Sequence, residues 1–271
     1  MPTSLYNRFR VKPGHKVHLD RWDPADTAGY KSKEHAEEAL AGNLKRLAEL
    51  GHLLYAERKR SLLVVLQAMD TGGKDGTISH VMSGLNPLNC RATAFEAPSE
   101  VERAHDFLWR IHQVVPGKGE IGIFNRSHYE DVLVVRVKKL APKTVWKARY
   151  DAINEFERML ALEGVTILKF FLHISKDEQA RRLRERLKDP AKNWKLSTTD
   201  FQDHRLWGDY KKAYEAALAR CSTPWAPWFV IPGNEKWFRN LAVSQIIVRV
   251  LEGFEMKFPK PTIDLSKAVI R

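Results

Sequence analysis

A glycine-rich stretch with a single lysine, residues 68–77, carries residue types that could bind phosphate. It directly follows an apolar run, residues 62–66, that is too short for a helix and rich enough in valine to form a buried strand. Glycines allow the backbone to turn sharply after such a strand. A helix that begins after this turn points its free amides at an anion, and Lys74 adds a full positive charge. The stretch therefore predicts a strand, a phosphate-binding loop and a helix.

The loop departs at two positions from the pattern G-x-x-x-x-G-K-[ST] that is typical of phosphate-binding loops. Ala68 replaces the first glycine, and Asp75 replaces the hydroxyl residue that would bind magnesium. A metal then needs another oxygen ligand, and Asp70 is the nearest carboxylate within the loop. The alternative is a glycine-rich turn with an unrelated lysine. The phosphate contacts predicted for this loop are Gly72, Gly73, Lys74, Gly76 and Thr77.

A second chemical segment, residues 124–131, begins at the end of the third predicted strand, where the ligand crevice of an open α/β sheet lies. Arg126 can stabilise charge on a phosphoryl group during transfer, and Glu130 or Asp131 can hold magnesium or orient an attacking phosphate. The alternative is a helix-capping box from Ser127 to Glu130, with Arg126 on a solvated face. We assign His128 a structural or orienting role.

A third segment, residues 176–195, holds eight basic residues against four acidic ones. Like charges four apart on a helix repel by a few tenths of a kcal/mol, whereas a charge-assisted hydrogen bond to phosphate contributes about 1.5–3 kcal/mol. The helix ends at Asp189 and Pro190, and a second basic run follows. We predict a lid over about residues 176–205, with a solvated basic helix as the alternative. Its predicted phosphate contacts are Arg182, Arg186, Lys192 and Lys195.

The net charge of +12 also favours a polyanionic partner, which could be nucleic acid, an anionic membrane surface or a phosphate polymer. Residues 132–150 contribute six basic side chains and no acidic one. The sequence has no run of 18 apolar residues and no apolar block near its start, so we expect an intracellular, cytoplasmic protein. In that compartment Cys90 and Cys221 are expected to be packed thiols.

Five short apolar runs alternate with helical patterns along the chain, among them a helix from a capping box at Ser99 through His112 and another over residues 202–220. The runs lie near residues 62–67, 91–96, 119–125, 165–174 and 228–231. Strands that are separated by helices indicate an α/β protein with a parallel sheet covered on both faces. We expect one domain over residues 1–271, with a helical extension over residues 1–60.

Three segments together resemble the polyphosphate kinase 2 family. They are the Asp-containing loop 68–77, the pattern Asn125-Arg126-Ser127-x-Tyr129, and Arg182-x-x-x-Arg186 leading into Lys192-x-Trp194-Lys195-Leu196-Ser197. The resemblance covers about residues 62–254. It implies a P-loop three-layer α/β/α sandwich with a five-stranded parallel sheet and a helical lid. It also implies phosphoryl transfer between inorganic polyphosphate and a nucleotide with Mg²⁺, in a homo-oligomer that is a dimer or a tetramer.

The resemblance also implies residue roles. Asp70, Lys74 and Arg126 are the implied catalytic residues, with Asp70 near the metal and the nucleotide phosphate. Many family members have aspartate where this chain has Asn125, so Glu130 or Asp131 is expected to supply the missing carboxylate. The implied nucleotide contacts are Asp70, Asn125 and Glu130, and the implied metal ligands are Asp70 and Asp131.

The segment around Asn125 resembles the class III branch, whose members phosphorylate both AMP and ADP. We therefore expect phosphoryl transfer from polyphosphate to AMP or ADP, giving ADP and ATP, with no nucleic-acid or membrane partner. One alternative is an ATP-dependent nucleotide kinase on the same fold. Another is a nucleic-acid-binding module with a degenerate loop.

Overall fold

A single five-stranded sheet organises the chain in the computed structural model, which describes residues 4–264 and Ser266. The strands are β1 (Ser61–Ala68), β2 (Cys90–Ala94), β3 (Ile121–Asn125), β4 (Val165–His173) and β5 (Trp228–Pro232). Their order across the sheet is β2-β3-β1-β4-β5, and every neighbouring pair is parallel. The predicted parallel α/β architecture is confirmed.

Helices cover both faces of this sheet. They are α1 (Leu5–Phe9), α2 (Lys33–Glu57), α3 (Lys74–Val81), α4 (Glu100–Arg103), α5 (Trp109–His112), α6 (Val134–Val137), α7 (Lys143–Leu162), α8 (Lys176–Lys188), α9 (Thr198–Arg205), α10 (Trp207–Cys221) and α11 (Lys236–Glu252). Alternate residues of β1 enter opposite layers, as the two-residue period of a strand requires. Leu62 and Val64 pack with α2 and α11, whereas Leu63 and Val65 pack with α7 and α10. The result is a three-layer α/β/α sandwich.

Two predicted helices are interrupted in the structure. The capping box at Ser99 starts a helix as expected, but α4 ends at Arg103 and α5 starts only at Trp109. Between them the Asp106 carboxylate accepts a hydrogen bond from the Leu108 amide at 2.9 Å, a local turn that competes with the helix. The predicted helix over residues 202–220 instead consists of α9 and α10, with a break at Leu206.

The first 60 residues are attached to the sandwich through contacts that include a strand bridge and helix packing. An isolated antiparallel bridge joins Arg10 to Phe229 in the edge strand β5. On the other side α2 packs along α11, where the Asn43 amide donates to the Ser244 hydroxyl at 3.0 Å. Both cysteines are free, in agreement with the prediction of packed thiols. Within residues 4–264 and Ser266, none of the helices combines the length and the apolar character needed to cross a membrane.

A fully buried charged network joins β4 and α7 to the segment after β3. The Lys169 ammonium forms an ion pair with Glu157 and also donates to the Tyr129 hydroxyl at 2.8 Å. Glu157 Oε1 accepts from the Tyr129 hydroxyl at 2.9 Å and faces His128 Nε2 at 3.2 Å. His128 and Tyr129 are thereby fixed from inside the core, which agrees with the orienting role assigned to His128.

Removing one partner of this network should destabilise the protein strongly. Glu157→Ala leaves the Lys169 charge buried without its counterion, so we expect a loss of about 3–5 kcal/mol in the free energy of unfolding. The pair Glu157→Leu with Lys169→Met should lose much less, because no charge is then buried. Urea denaturation of the three proteins checks this, and a loss below about 1 kcal/mol for Glu157→Ala would contradict the network's role.

The same pair predicts a pH dependence. Burial acts to raise the pKa of Glu157, but Lys169 and His128 outweigh it, and the pKa lies below its ordinary value of 4.5. A carboxylate with a lowered pKa stabilises the fold above its unfolded pKa, and that contribution disappears as the pH falls through the folded value. Below pH 4.5 the wild type should therefore lose stability more steeply than the Leu/Met double variant.

Candidate active site

The loop between β1 and α3 turns so tightly that one position excludes any side chain. A Cβ atom on Gly72 would lie 2.4 Å from the Ala68 Cβ and 2.8 Å from the Met69 carbonyl oxygen. Thr71 and Gly73 both have positive φ, at 62° and 97°, and Gly73 is the residue before α3. The turn therefore ends with the amides of the first α3 turn at the carboxyl edge of the sheet, as the phosphate-loop prediction requires.

The side chain of Thr77, a predicted phosphate contact, lies inside the first turn of α3. Its side chain is fully buried, and its hydroxyl donates to the Gly73 carbonyl at 3.0 Å. The hydroxyl thus closes the first turn of α3 from inside. Gly72, Gly73 and Gly76 shape the loop, and their predicted contacts with phosphate stay predictions.

Arg126 lies beside this loop because β3 is the neighbour of β1. Its backbone is in the left-handed region, with φ of 63°, and its amide donates to the Leu66 carbonyl at 3.0 Å. A residue other than glycine holds such a conformation only when its surroundings impose it, which is common at functional sites. The turn places Arg126 Nη2 at 3.9 Å from Asp70 Oδ1, so the two predicted catalytic residues are brought together.

Two cations, Lys74 and Arg126, and two carboxylates, Asp70 and Glu130, lie within electrostatic reach of one another at this point. Desolvation lowers the pKa of Lys74, and the nearby Arg126 charge lowers it further, against the opposing effect of Asp70 and Glu130. Desolvation raises the pKa of Glu130, although Arg126 and Lys74 act in the opposite direction. Perturbed groups that converge in a crevice are typical of a catalytic site.

The structure assigns contacts to Asp75, whose role the sequence does not explain. The Asn125 amide donates to Asp75 Oδ1 at 2.9 Å, and the Lys195 ammonium donates to Asp75 Oδ2 at 3.1 Å. An aspartate at position 125 would face the Asp75 carboxylate and be repelled by it. Asn125 is therefore the residue that fits Asp75. The predicted contact of Asn125 with nucleotide stays a prediction.

Arg182, a predicted contact with phosphate from the lid, instead donates a hydrogen bond from its side chain to the backbone of the phosphate loop. The side chain is buried, and its guanidinium donates to the Thr71 carbonyl at 3.0 Å and the Gly233 carbonyl at 2.6 Å. Gln179, one turn earlier, donates to the Asp70 carbonyl at 3.0 Å. This face of α8 is thus attached to the loop. After α8, residues 190–195 and 197–199 of the predicted lid are exposed.

The other predicted lid cations are more accessible. Arg186 is half-buried and forms no hydrogen bond or ion pair within residues 4–264 and Ser266. Lys192 is paired with Asp189, and Lys195 is paired with Asp75 across from the phosphate loop. Lys192 and Lys195 need only exchange a surface partner to bind an anion.

A cavity of about 850 Å³ opens next to the loop and is large enough for a nucleotide. Asp70, Arg126, Glu130, Asp131 and Lys195 are among its lining residues. Sequence reasoning missed three of its other walls, namely Phe95, Pro98 and Phe107. The first of these could have been found from the rule that ligands bind at the carboxyl ends of parallel strands, because Phe95 directly follows β2.

Asp131, one of the predicted metal ligands, is engaged in an ion pair. Its carboxylate accepts a hydrogen bond from Arg149 Nη1 at 2.8 Å, and this ion pair occupies Oδ1. In the part of the chain that the structure describes, no three His, Cys, Asp or Glu side chains are grouped as metal ligands. Protein-bound Mg²⁺ usually takes one or two carboxylates and completes its shell with water and substrate phosphates. Asp70, with Glu130 beside it, fits a metal shared with substrate in this way.

Asp75 should restrain the exposed segment that carries Lys195. Asp75→Ala removes an exposed ion pair, so we expect trypsin to cleave after Lys192 and Lys195 about two- to five-fold faster, with an unchanged melting temperature. Asp151→Ala, an exposed aspartate on α7, is the matched control. Equal cleavage rates in wild type and Asp75→Ala would show that the ion pair does not hold this segment.

Comparisons with known proteins agree with this geometry. The family model of polyphosphate kinase 2 matches residues 30–259. The AMP/ADP-polyphosphate phosphotransferase of Meiothermus ruber is 57% identical over 264 residues, which are 97% of this chain and 99% of that protein. The ADP-polyphosphate phosphotransferase of Rhodopseudomonas palustris is 43% identical over 94% of this chain and 92% of its own length.

A solved structure gives the same result. The crystal structure of polyphosphate kinase 2 from Arthrobacter aurescens superposes with a TM-score of 0.94 at 44% identity, covering 98% of this chain and 95% of that one. The resemblance carried by the loop, the Arg126 segment and the basic helix is thereby confirmed, and the chain belongs to the polyphosphate kinase 2 family.

Proposed function

We propose that this protein transfers phosphoryl groups from inorganic polyphosphate to AMP and ADP, giving ADP and ATP. The observation that carries the proposal is the meeting of Lys74, Arg126 and Asp70 beside a nucleotide-sized cavity. The relative from Meiothermus ruber, whose name includes both AMP and ADP, supports both acceptors.

The cavity supplies the nucleotide site in this proposal. Phe95, Pro98 and Phe107 provide apolar surface for the base of the nucleotide. Arg126 and Lys195 provide positive charge for the nucleotide phosphate. An oxygen of the nucleotide's terminal phosphate attacks the terminal phosphorus atom of polyphosphate. One P–O bond forms to the nucleotide as the bridging P–O bond breaks, and the shortened chain leaves with the electron pair. The phosphate oxygen is already nucleophilic, so the step needs no covalent protein intermediate.

Lys74 and Arg126 neutralise the charge that spreads over the transferring group, and their closeness to each other suits two adjacent phosphate oxygens. Among the residues that the structure describes, neither side chain forms a hydrogen bond, and Arg126 Nη2 lies 3.9 Å from Asp70 Oδ1. Asp70, with Glu130 near it, would hold Mg²⁺. A bound Mg²⁺ supplies further neutralisation of phosphate oxygens.

We infer that the enzyme acts in the cytoplasm, where AMP and ADP are available and where its two free thiols stay reduced. We infer a dimer or a tetramer from family resemblance, which light scattering of the purified protein tests. We also infer that nucleic acid and membranes are not its partners.

The decisive experiment omits ATP. Protein, AMP, Mg²⁺ and polyphosphate should give ADP and then ATP, since both acceptors are used. No nucleotide product in this mixture, together with AMP phosphorylation when ATP is the donor, would support the ATP-dependent kinase instead. Chelation of Mg²⁺ with EDTA should stop the reaction, and added Mg²⁺ should restore it.

Lys74→Ala and Arg126→Ala should abolish turnover without unfolding the protein. Arginine contacts of this kind contribute about 10³–10⁵ in rate to phosphoryl transfer. Lys45→Ala and Arg158→Ala, which change exposed cations on α2 and α7, are the matched controls and should keep wild-type rates. Near-normal rates in either site variant would contradict the mechanism.

The nucleic-acid-binding alternative has its own test. A salt-sensitive gel shift of DNA or RNA that persists in Lys74→Ala would support it, because backbone binding by a surface of net charge +12 does not depend on one loop lysine.

A further inference from the structure

Arg239 is a buried cation near the start of α11 that lacks a counterion. Its side chain is only 3% exposed. Nε and Nη2 both donate to Asn240 Oδ1, at 3.2 and 2.9 Å, and Nη1 has no hydrogen bond among the described residues. Within the same residues no carboxylate lies at ion-pair distance from it. Burial, followed by the charge of Arg182, lowers the pKa of Arg239 to about 10.

The free end of Arg239 is aimed at the phosphate loop. A Cβ atom on Gly73 would lie 1.9 Å from Arg239 Nη1, and one on Gly76 would lie 3.4 Å from Nη2. The two glycines thus leave the space in which the guanidinium rests against the first turn of α3. No hydrogen bond from Arg239 to a loop carbonyl accompanies this contact, unlike that of Arg182 with Thr71.

The surrounding charge is of the same sign. Lys236, which is exposed, has a pKa lowered first by desolvation and then by the charge of Arg182. The amino-terminal end of α3 adds partial positive charge. Arg182 has Glu178 and backbone carbonyls as partners, whereas among the described residues Arg239 has only the neutral Asn240 side chain. A buried cation in such a place costs stability until an anion completes the arrangement.

We propose that Arg239, together with Lys236, binds the phosphate chain of polyphosphate where it passes the Gly73–Lys74 turn. The inference rests on the proposed function. Arg239, Lys236 and Gly73 are not among the described residues that line the 850 Å³ cavity, which we assign to the nucleotide. We therefore assign this contact to polyphosphate, the phosphoryl donor. The exposed Lys236 contacts polyphosphate at the protein surface, and the planar guanidinium of Arg239 binds the oxygens of one phosphate unit.

The test compares Arg239→Met, Arg239→Lys and Lys236→Ala in the assay with AMP and polyphosphate. Arg239→Met should raise the KM for polyphosphate about 10–100-fold and leave the KM for AMP unchanged. Arg239→Lys keeps the charge without the planar donor pair and should give a smaller rise. Arg249→Met is the matched control on the same helix, because Arg249 donates to the Ser4 hydroxyl and is ten residues further on. It should change neither constant.

Two results would overturn the inference. One is a polyphosphate KM within about two-fold of wild type in Arg239→Met, and the other is an equal rise in both KM values. If Arg239→Met does not fold, Arg239→Lys and Lys236→Ala decide, and wild-type polyphosphate KM values in both would reject the proposal.

Direct binding separates this inference from the proposed function. Long-chain polyphosphate is titrated into the protein without nucleotide, and Arg239→Met should bind it at least about ten-fold more weakly than wild type. If wild type makes no product from AMP yet binds polyphosphate through Arg239, the proposed function fails and the inference stands. If turnover is normal and binding does not depend on Arg239, the reverse holds.

Discussion

The central strand β1 must pair in parallel with a partner on each side, and every part of the candidate site depends on that pairing. Its eight residues are buried throughout, with Leu66 opposite Asn125 in β3 and Ala68 opposite Leu172 in β4. Three strands therefore end at one edge, and the segments that leave them are neighbours in space. The close contacts of the loop follow from this, including the Arg126 amide on the Leu66 carbonyl and the Gln179 amide on the Asp70 carbonyl.

Arginines around this edge have different roles because their partners differ. The Arg182 guanidinium donates hydrogen bonds to a carboxylate and to backbone carbonyls, and these bonds fix the loop. Arg149 forms a close ion pair with Asp131. Arg126 is only loosely paired with Asp70, at a distance beyond a hydrogen bond. A guanidinium with a distant partner can take a phosphate without first losing a strong contact. The loop is thus held by some cations and left open to substrate by others.

The strands and the phosphate loop could be predicted because their signals are local. A valine-rich run followed by glycines specifies a buried strand and a tight turn wherever it occurs. Arg182 and Arg186 show where such reasoning stops. Both lie beside the apolar face of α8, but only Arg182 is buried, since that face packs against a loop 111 residues earlier in the chain. The pairing of Asp75 with Lys195, 120 residues apart, is equally invisible in the sequence.

The order of strands in the sheet also determines when the site can form during folding. The loop after β1 is complete in the chain by Lys74, yet the strands on its two sides begin only at Ile121 and Val165. The helix layer on the Leu62 and Val64 face of β1 includes α11, near the end of the chain. There the hydrogen bond between Asn43 and Ser244 joins residues 201 positions apart. Contacts so distant in sequence are costly in loop-closure entropy and form late. A nascent chain therefore carries the loop sequence long before it can bind phosphate, and its apolar β1 lacks one of its two partner strands until β4 is complete at His173.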